Sequence, residues 1–265
     1  MEFTILGSGT STGVPVVGCS CPVCSSDDPR DRRSRASVWL RSGELSILFD
    51  TSTEFRLQAL AAGVRHIDAV FLTHAHADHV HGLDDLRPLT HHSPIPVYGS
   101  DATLNEIEER FSYIFRHSQL GGGKPRLMLE RIDSPVTIYP AAADRPGEDK
   151  PEALEVVPVP LFHGELPILG FRVGPFAYLT DCSEIPEASY ALLSGVDVLV
   201  IDALRFRPHP THFNVEEALS AVRRIGARTA YFTHLCHEVS YRELEAALPE
   251  GIHPAYDGLS RRIGT

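Results

Sequence analysis

The chain has 265 residues, of which 43% are hydrophobic and 22% are charged, and its formal net charge is -11. These fractions are ordinary for a soluble globular protein, and no apolar run approaches the roughly 20 residues of a membrane-spanning helix, so we expect no membrane partner. The acidic balance disfavours a large nucleic-acid partner, because such a partner usually requires a basic protein face.

The N-terminal stretch MEFTILGSGTSTG predicts an immediate β-strand followed by a glycine-rich turn. It has neither the basic start nor the cleavage site of a secretory signal, so we expect a cytoplasmic location. The turn leads to Cys19, Cys21 and Cys24, three of the five cysteines. Their spacing is too tight for a disulfide framework and suits a metal ion.

Short β-branched runs then alternate with helical patterns. The predicted strands are FTILGS, SVWLRS, LSILFD, DAVFLTH, IPVYG, FRVG, FAYLTD, DVLVIDA and TAYFTH. The predicted helices cover residues 54–62, 102–115, 215–225 and 241–248, with a capping box of Asn214 and Glu217 before the third. This alternation predicts an α/β layered fold. One domain over residues 1–265, with a cysteine-rich metal loop at about 18–25, is the simplest organisation. The irregular stretch 117–151 is predicted to be a loop over a site.

The stretch THAHADHVHG, residues 73–82, holds four histidines and an aspartate. The preceding DAVFLT has the pattern of a buried strand, so the chain should leave the sheet edge at His74 and enter a helix near His79. Imidazole nitrogens and carboxylate oxygens are the usual ligands of first-row metals, and two ions are compatible with this density of ligands. The spacing His-x-His-x-Asp-His differs from the His-Glu-x-x-His pattern of zinc proteases.

This motif resembles that of the metallo-β-lactamase superfamily. The resemblance implies an α/β fold of the metallo-β-lactamase type, an αββα sandwich in which helices flank two sheets. It assigns His74 and His76 to one metal ion, and Asp78 and His79 to the second. The remaining ligands would be a histidine after a strand, a bridging aspartate and a late histidine, namely His163 in LFHGE, Asp181 in YLTDCS and His234 in YFTHLCH.

Two nearby residues have less definite roles. The family motif gives His81 no ligand role, and we interpret it as a polar residue on the new helix. Asp50 ends the strand LSILFD at a position that in the family usually orients the site, although a plain strand-end aspartate has the same pattern.

The three clustered cysteines leave a tetrahedral zinc site one ligand short. His237, Cys236 and Cys182 are the candidates for the fourth ligand. Three buried thiols without a metal ion are the alternative, which is disfavoured because thiolates at this density repel one another.

The cysteine triplet and a final His-x-x-His resemble the PhnP-like phosphodiesterases, which are accessory enzymes of carbon-phosphorus lyase pathways. The resemblance implies that His237 completes a structural zinc site and that His212 in HPTHFN is the general acid, with His209 a loop residue. The implied cofactors are two active-site manganese or zinc ions and one structural zinc ion. The implied reaction opens small cyclic phosphodiesters of ribose phosphates through attack of metal-bound hydroxide on phosphorus, with His212 and Asp78 as catalytic residues.

Other readings remain open. The alternatives are a tRNA 3'-processing nuclease, a thioester hydrolase or lactamase of the same fold, and a noncatalytic PqqB-like carrier. The segment from Arg30 to Arg35, or Arg205, is a candidate contact for a second substrate phosphate, although such a run more often lies solvated. The sequence does not determine the oligomeric state, and a homodimer is compatible with it.

Overall fold

Two mixed β-sheets form the centre of the structure, a computed structural model that describes residues 1–116, 123–141 and 152–264. The strands are numbered in chain order. The first sheet has the order β14-β1-β2-β3-β4-β5-β6. Its strands are β1 (Glu2–Gly7), β2 (Ser37–Ser42), β3 (Leu45–Phe49), β4 (Ala69–Phe71), β5 (Ile95–Gly99), β6 (Leu127–Arg131) and β14 (Ser260–Arg262).

The second sheet has the order β13-β12-β11-β10-β9-β8-β7. Its strands are β7 (Val136–Ile138), β8 (Leu154–His163), β9 (Leu166–Val173), β10 (Phe176–Leu179), β11 (Val198–Asp202), β12 (Thr229–Thr233) and β13 (Ile252–Pro254). The helices are α1 (Phe55–Ala62), α2 (Ala77–Val80), α3 (Asp101–Arg110), α4 (Ser112–Phe115), α5 (Glu187–Leu192), α6 (Val215–Ile225) and α7 (Tyr241–Ala247). Short 3-10 helices cover Pro29–Asp31 and His81–Thr90.

The main core lies between the two sheets. The ring of Phe49 on β3 stacks on that of Phe171 on β9, with their centroids 5.7 Å apart. Side chains that alternate with this inner set point outward, as Leu48 does, and pack beneath the helices. Helices α1, α2 and α3 cover the outer face of the first sheet, and α6 and α7 cover that of the second. The four layers confirm the predicted αββα sandwich.

The helix predictions are confirmed in type and differ in detail. The capping box of Asn214 and Glu217 is formed at the start of α6. Helix α1 ends at Gly63, whose φ of 72° lies in the left-handed region. The helix predicted for residues 102–115 is interrupted at Phe111, where ψ is 32° and the ring packs on the outer core of the first sheet. It therefore forms two helices, α3 and α4.

Strand β8 was not predicted, because Pro158 and Pro160 interrupt its pattern. Proline lacks the N–H group of a sheet ladder and is confined to edges. Strand β7 pairs only with Leu154–Val156 of β8, so in the described part of the chain both prolines face a single neighbouring strand, β9. Strands β6 and β7 lie inside the predicted 117–151 loop, whereas residues 117–122 and 142–151 lie outside the described residues.

The parallel strands bring their carboxyl ends to one edge of the sandwich. Strand β3 is parallel to β4, and β11 is parallel to both β10 and β12. The loops that follow these ends face a common crevice, which is where open α/β sheets bind ligands. None of the helices in the described ranges is both long and apolar enough to cross a membrane.

Candidate metal centres

Three residues at this edge have left-handed backbone conformations that side chains other than glycine rarely adopt. They are Asp50 with φ of 58°, Asp181 with φ of 53° and His234 with φ of 59°. Each follows the end of a strand, and the unusual turn directs its side chain into the crevice. Strain of this kind costs about 1–3 kcal/mol per residue and concentrates at functional sites.

Two groups of side chains converge in the crevice and share Asp181. Within each group the candidate ligand atoms all lie within 4.8 Å of one another. The first group is His74, His76, His163 and Asp181, and the second is Asp78, His79, Asp181 and His234.

The two carboxylate oxygens of Asp181 face different groups. Oδ2 lies 3.8 Å from Nε2 of His74, whereas Oδ1 lies 3.1 Å from Nε2 of His79 and 3.3 Å from Nε2 of His234. Asp181 would therefore offer one oxygen to an ion in each group.

Several buried polar atoms at the centre of these groups have no hydrogen-bond partner among the described residues. They are Nε2 of His74, His79 and His234, and Oδ2 of Asp78. Leaving such atoms unpaired costs free energy, and one divalent cation in each group would satisfy them. The residues therefore fit two divalent ions.

Asp50 orients His79 through the ring nitrogen that faces away from the second group. It is fully buried, and its Oδ2 lies 2.8 Å from Nδ1 of His79. Its Oδ1 accepts the backbone N–H of Thr73 at 2.9 Å, which fixes the carboxylate in place. Because Nδ1 of His79 donates to Asp50, Nε2 is left as the atom that faces the second group. The structure thus places Asp50 in the orienting position.

Charge and burial act together on these side chains. Burial lowers the pKa of His74 well below its usual range and keeps the imidazole neutral, the form that binds metal. Burial also acts to lower the pKa of His79, but the carboxylates of Asp181, Asp50 and Asp78 outweigh it and raise that pKa. The second group therefore provides a strongly negative environment that favours a cation.

His212 lies beside both groups. Its ring centroid is 4.6 Å from that of His163 and 4.8 Å from that of His234. Its Nδ1 lies 2.8 Å from Oδ2 of the fully buried Asp202, so Nε2 is the nitrogen available to a ligand. Burial lowers the pKa of His212, and an anionic group bound beside it would favour the protonated ring. Sequence reasoning missed Asp202, because DVLVIDA ends like any strand with a terminal aspartate.

Two other histidines of the sequence motifs lie farther out. The ring of His209 is 5.1 Å from that of His212, and its Nδ1 contacts Thr211. His81 is exposed, with its ring 6.3 Å from that of Phe111, and belongs to neither group.

The three clustered thiols converge on His237. Sγ of Cys19, Cys21 and Cys24 lies 3.3, 3.5 and 3.5 Å from Nδ1 of His237. Three sulfurs and one nitrogen form a donor set that suits a closed tetrahedral zinc site. The backbone N–H of Cys24 lowers the pKa of Cys21 to about 6, whereas burial raises the pKa of Cys24 to about 11.

The other two candidates for the fourth ligand are engaged elsewhere. Sγ of Cys236 accepts the backbone N–H of Glu238 at 3.4 Å, and the thiol of Cys182 donates to the carbonyl of Glu184 at 3.4 Å. Of the three candidates, the structure brings His237 to the thiols.

The arginines proposed to contact a second substrate phosphate already form ion pairs or hydrogen bonds within the protein. Arg30 pairs with Asp28 at 2.8 Å. Arg33 is 1% exposed, and its guanidinium donates to the carbonyls of Cys236 and Val239. In the same way, Arg35 pairs with Glu54, and Arg205 pairs with Glu238 at 2.7 Å.

Comparison with known proteins agrees with this fold. Residues 46–235 match the family model of the beta-lactamase superfamily domain, and the chain belongs to that superfamily. A crystal structure described as a new diphosphatase from the PhnP family is 40% identical, with a TM-score of 0.86, and the match covers 99% of this chain and 98% of that one. At this identity and coverage, the chain belongs to the PhnP family within the superfamily.

Two curated relatives carry other names. An octanoyltransferase of Porphyromonas gingivalis (strain ATCC BAA-308 / W83) is 41% identical over 99% of this chain, which spans only 52% of that protein. A coenzyme PQQ synthesis protein B of Methylobacterium radiotolerans is 28% identical, over 76% of this chain and 72% of that protein. The chain thus spans about half the length of the first relative.

Proposed function

We propose that this metallo-hydrolase is a two-metal phosphodiesterase that opens small cyclic phosphodiesters of ribose phosphates. Two divalent ions in such a site would supply the nucleophile by lowering the pKa of water, and would neutralise charge on the phosphoryl oxygens. The protein's own part is to position the side chains that would hold the two ions. Asp181 belongs to both groups of these side chains. Asp78 would hold the second ion with its buried carboxylate.

The observation that carries the proposal is His212, which Asp202 holds beside the shared groups at an Nδ1–Oδ2 distance of 2.8 Å. A sugar oxygen that leaves phosphorus needs a proton, and a positioned histidine typically supplies a factor of about 10²–10⁴ in rate. A thiolate or a phosphate is a better leaving group and needs this proton less. The His212–Asp202 pair therefore favours hydrolysis of a P–O–C bond over hydrolysis of a thioester or a P–O–P bond.

Hydrolysis of a diphosphate is the second candidate, and the name of the 40% identical PhnP-family structure supports it. The octanoyltransferase name finds less support in the site. Acyl transfer through a cysteine needs a reactive thiolate. Burial raises the pKa values of Cys182 and Cys236. The other three thiols, among them Cys21 with its lowered pKa, converge with His237 as a separate candidate metal site.

The exposure of one ligand group and the net charge of the chain support a small substrate. His76 is exposed and His163 is partly exposed, so the first group is open to solvent. The net charge of -11 weakens attraction to a long polyanion such as tRNA.

The test measures hydrolysis of ribose 1,2-cyclic phosphate, a nucleoside diphosphate, an aryl phosphodiester and a tRNA precursor by manganese-loaded and zinc-loaded protein. Asp78→Asn is compared with Asp84→Asn, an exposed aspartate of the adjoining 3-10 helix. We expect turnover of the cyclic diester that collapses in Asp78→Asn and persists in Asp84→Asn. Turnover of the diphosphate alone would establish the second candidate. No turnover of any phosphate would favour a thioester hydrolase or a noncatalytic PqqB-like carrier.

A further inference from the structure

We propose that Asp202 is a positioning residue for two rings at once: it holds the proton donor His212, and it turns the metal-facing His234 toward Asp181. The part that concerns His212 rests on the proposed function. The part that concerns His234 depends only on the geometry of the second ligand group.

Asp202 lies where both rings can be reached. It is the last residue of β11, which runs parallel to β10 and β12 on either side. Asp181 follows β10 and His234 follows β12, so Asp202 projects from the strand end between them. The backbone N–H of Ala203 donates to the carbonyl of Thr233 at 3.1 Å, which keeps the ends of β11 and β12 together.

The two oxygens of Asp202 face different histidines. Oδ2 lies 2.8 Å from Nδ1 of His212, and Oδ1 lies 4.0 Å from Nδ1 of His234. Both Oδ1 and that Nδ1 are buried and lack a hydrogen-bond partner within the described ranges. Nε2 of His234 meanwhile lies 3.3 Å from Asp181. The ring of His234 is thus aligned between two carboxylates, with one nitrogen facing each.

This arrangement is costly for stability alone. A buried carboxylate that is only partly paired destabilises a fold, and an apolar side chain of similar size is often better. Asp68 shows how a buried carboxylate is satisfied in the same protein. Its two oxygens accept the backbone N–H groups of Ser46 at 2.8 Å and Ala141 at 2.7 Å. Asp202 instead directs both oxygens toward histidines of the site.

The first experiment compares two phosphodiesters that differ in their leaving group, one an alkyl alcohol and one 4-nitrophenol. Both rates are measured with the metal sites saturated, so that weaker metal binding limits neither. For Asp202→Asn we then expect the alkyl substrate to slow by about 10²-fold and the nitrophenyl substrate by less than about threefold, because nitrophenolate leaves without a proton. His212→Asn should show the same contrast, and the double variant should be no slower than His212→Asn, since residues that act as a unit are not additive. Asp68→Asn, at the opposite end of its sheet, is the matched control and should change neither rate. Equal slowing of both substrates in Asp202→Asn would overturn the role toward His212.

The second experiment measures metal affinity by competition with a chelator, without any substrate. Carboxylates behind a histidine ligand typically contribute about 10- to 100-fold in affinity. We expect Asp202→Asn to weaken one of two bound zinc ions by at least about tenfold, and Asp68→Asn to weaken neither. Unchanged affinity for both ions would overturn the role toward His234. Asp202→Ser serves both experiments if the asparagine variant does not fold. If the wild-type protein hydrolyses neither diester, the proposed function fails, whereas the chelator competition still decides the role toward His234.

Discussion

The dinuclear groups take their ligands from four separate stretches between residues 74 and 234, whereas the cysteine cluster takes three of its four ligands from one loop of six residues. Five of the seven ligands of the first set are buried, and the set depends on strand ends that meet only in the complete sandwich. The second set is mostly half-exposed and closes locally around His237. The two centres adjoin at His234 and His237, which lie three residues apart. We therefore expect damage to the dinuclear groups to abolish chemistry, and damage to the cysteine cluster to lower stability first.

The largest expected effect is that of Asp181→Ala. Because Asp181 faces both groups, its loss should raise the barrier by about 5 kcal/mol or more, which is a fall of about 10⁴-fold in kcat. Metal content and kcat for a cyclic diester are the measurements. Retention of two ions with near-normal turnover would show that the groups do not share this ligand.

The next largest effect distinguishes two neighbouring histidines. His212→Ala should lower kcat for an alcohol-leaving diester by about 10²- to 10³-fold, because the leaving oxygen loses its proton donor. His209→Ala should lower it by less than about tenfold, since His209 contacts Thr211 rather than Asp202. Steady-state kinetics of both variants check the contrast, and the reverse order would transfer the acid role to His209.

His237→Ala tests the cysteine cluster. If zinc occupies this cluster, removal of one of four ligands should release it and lower Tm by about 5 °C or more, because zinc binding contributes directly to folding. The kcat of the remaining folded protein should fall by less than about tenfold, because β12 and Asp181 still hold His234. Calorimetry and metal analysis provide the readout. A loss of activity as deep as that of Asp181→Ala would show that the two centres are not separable.

Proton release on zinc binding reports the protonation states of the thiols in the same cluster. The pKa of Cys21 is lowered to about 6, so this thiol is largely ionised at pH 7 before zinc binds. The pKa of Cys24 is raised to about 11, so its proton must leave when the thiolate binds zinc. When zinc is added to metal-free protein in weak buffer, Cys24→Ser should therefore release about one proton fewer than the wild type. Cys21→Ser should release nearly as many protons as the wild type, because the Cys21 thiol is already largely ionised. An indicator dye measures the release, and equal decreases would contradict the assigned order.

The smallest effect is expected at the arginine segment. Arg30→Ala should change KM by less than about twofold, because the guanidinium already pairs with Asp28 and lies over the ring of Tyr241. Arg33→Ala is the contrasting variant, since it removes a buried charge that holds two carbonyls, and it should lower Tm rather than raise KM. A tenfold rise in KM for Arg30→Ala would restore this segment as a phosphate contact.

Much of the dinuclear site could be predicted from the sequence because four candidate ligands occupy one short motif. Asp181 and His234 each follow a recognisable strand, and His163, Asp181 and His234 occur in the order that the metallo-β-lactamase resemblance implies. Asp202 could not be found in this way. Its role depends on β11 lying between β10 and β12, and no local pattern contains that order of strands.

The helices and strands that could be predicted are likewise those set by local sequence signals, and those that were missed depend on distant parts of the chain. Helix α6 was predicted to the residue because its cap, its apolar face and its terminal Gly226 are all local signals. Strand β8 was missed because Pro158 and Pro160 are unfavourable in most strands and are accommodated only through its position in the sheet. The break at Phe111 depends likewise on the core beneath that ring.

The left-handed backbone at Asp50, Asp181 and His234 bears on how this protein can change over generations. Glycine adopts this conformation without strain, so replacing any of the three by glycine should relieve part of the local strain even as it removes a functional side chain. One base change converts an aspartate codon into a glycine codon. A lineage released from the need for metal should therefore tend to acquire glycine at positions 50 and 181. We expect a related sequence with glycine at these positions to retain the αββα fold and to lack the metal-dependent activity.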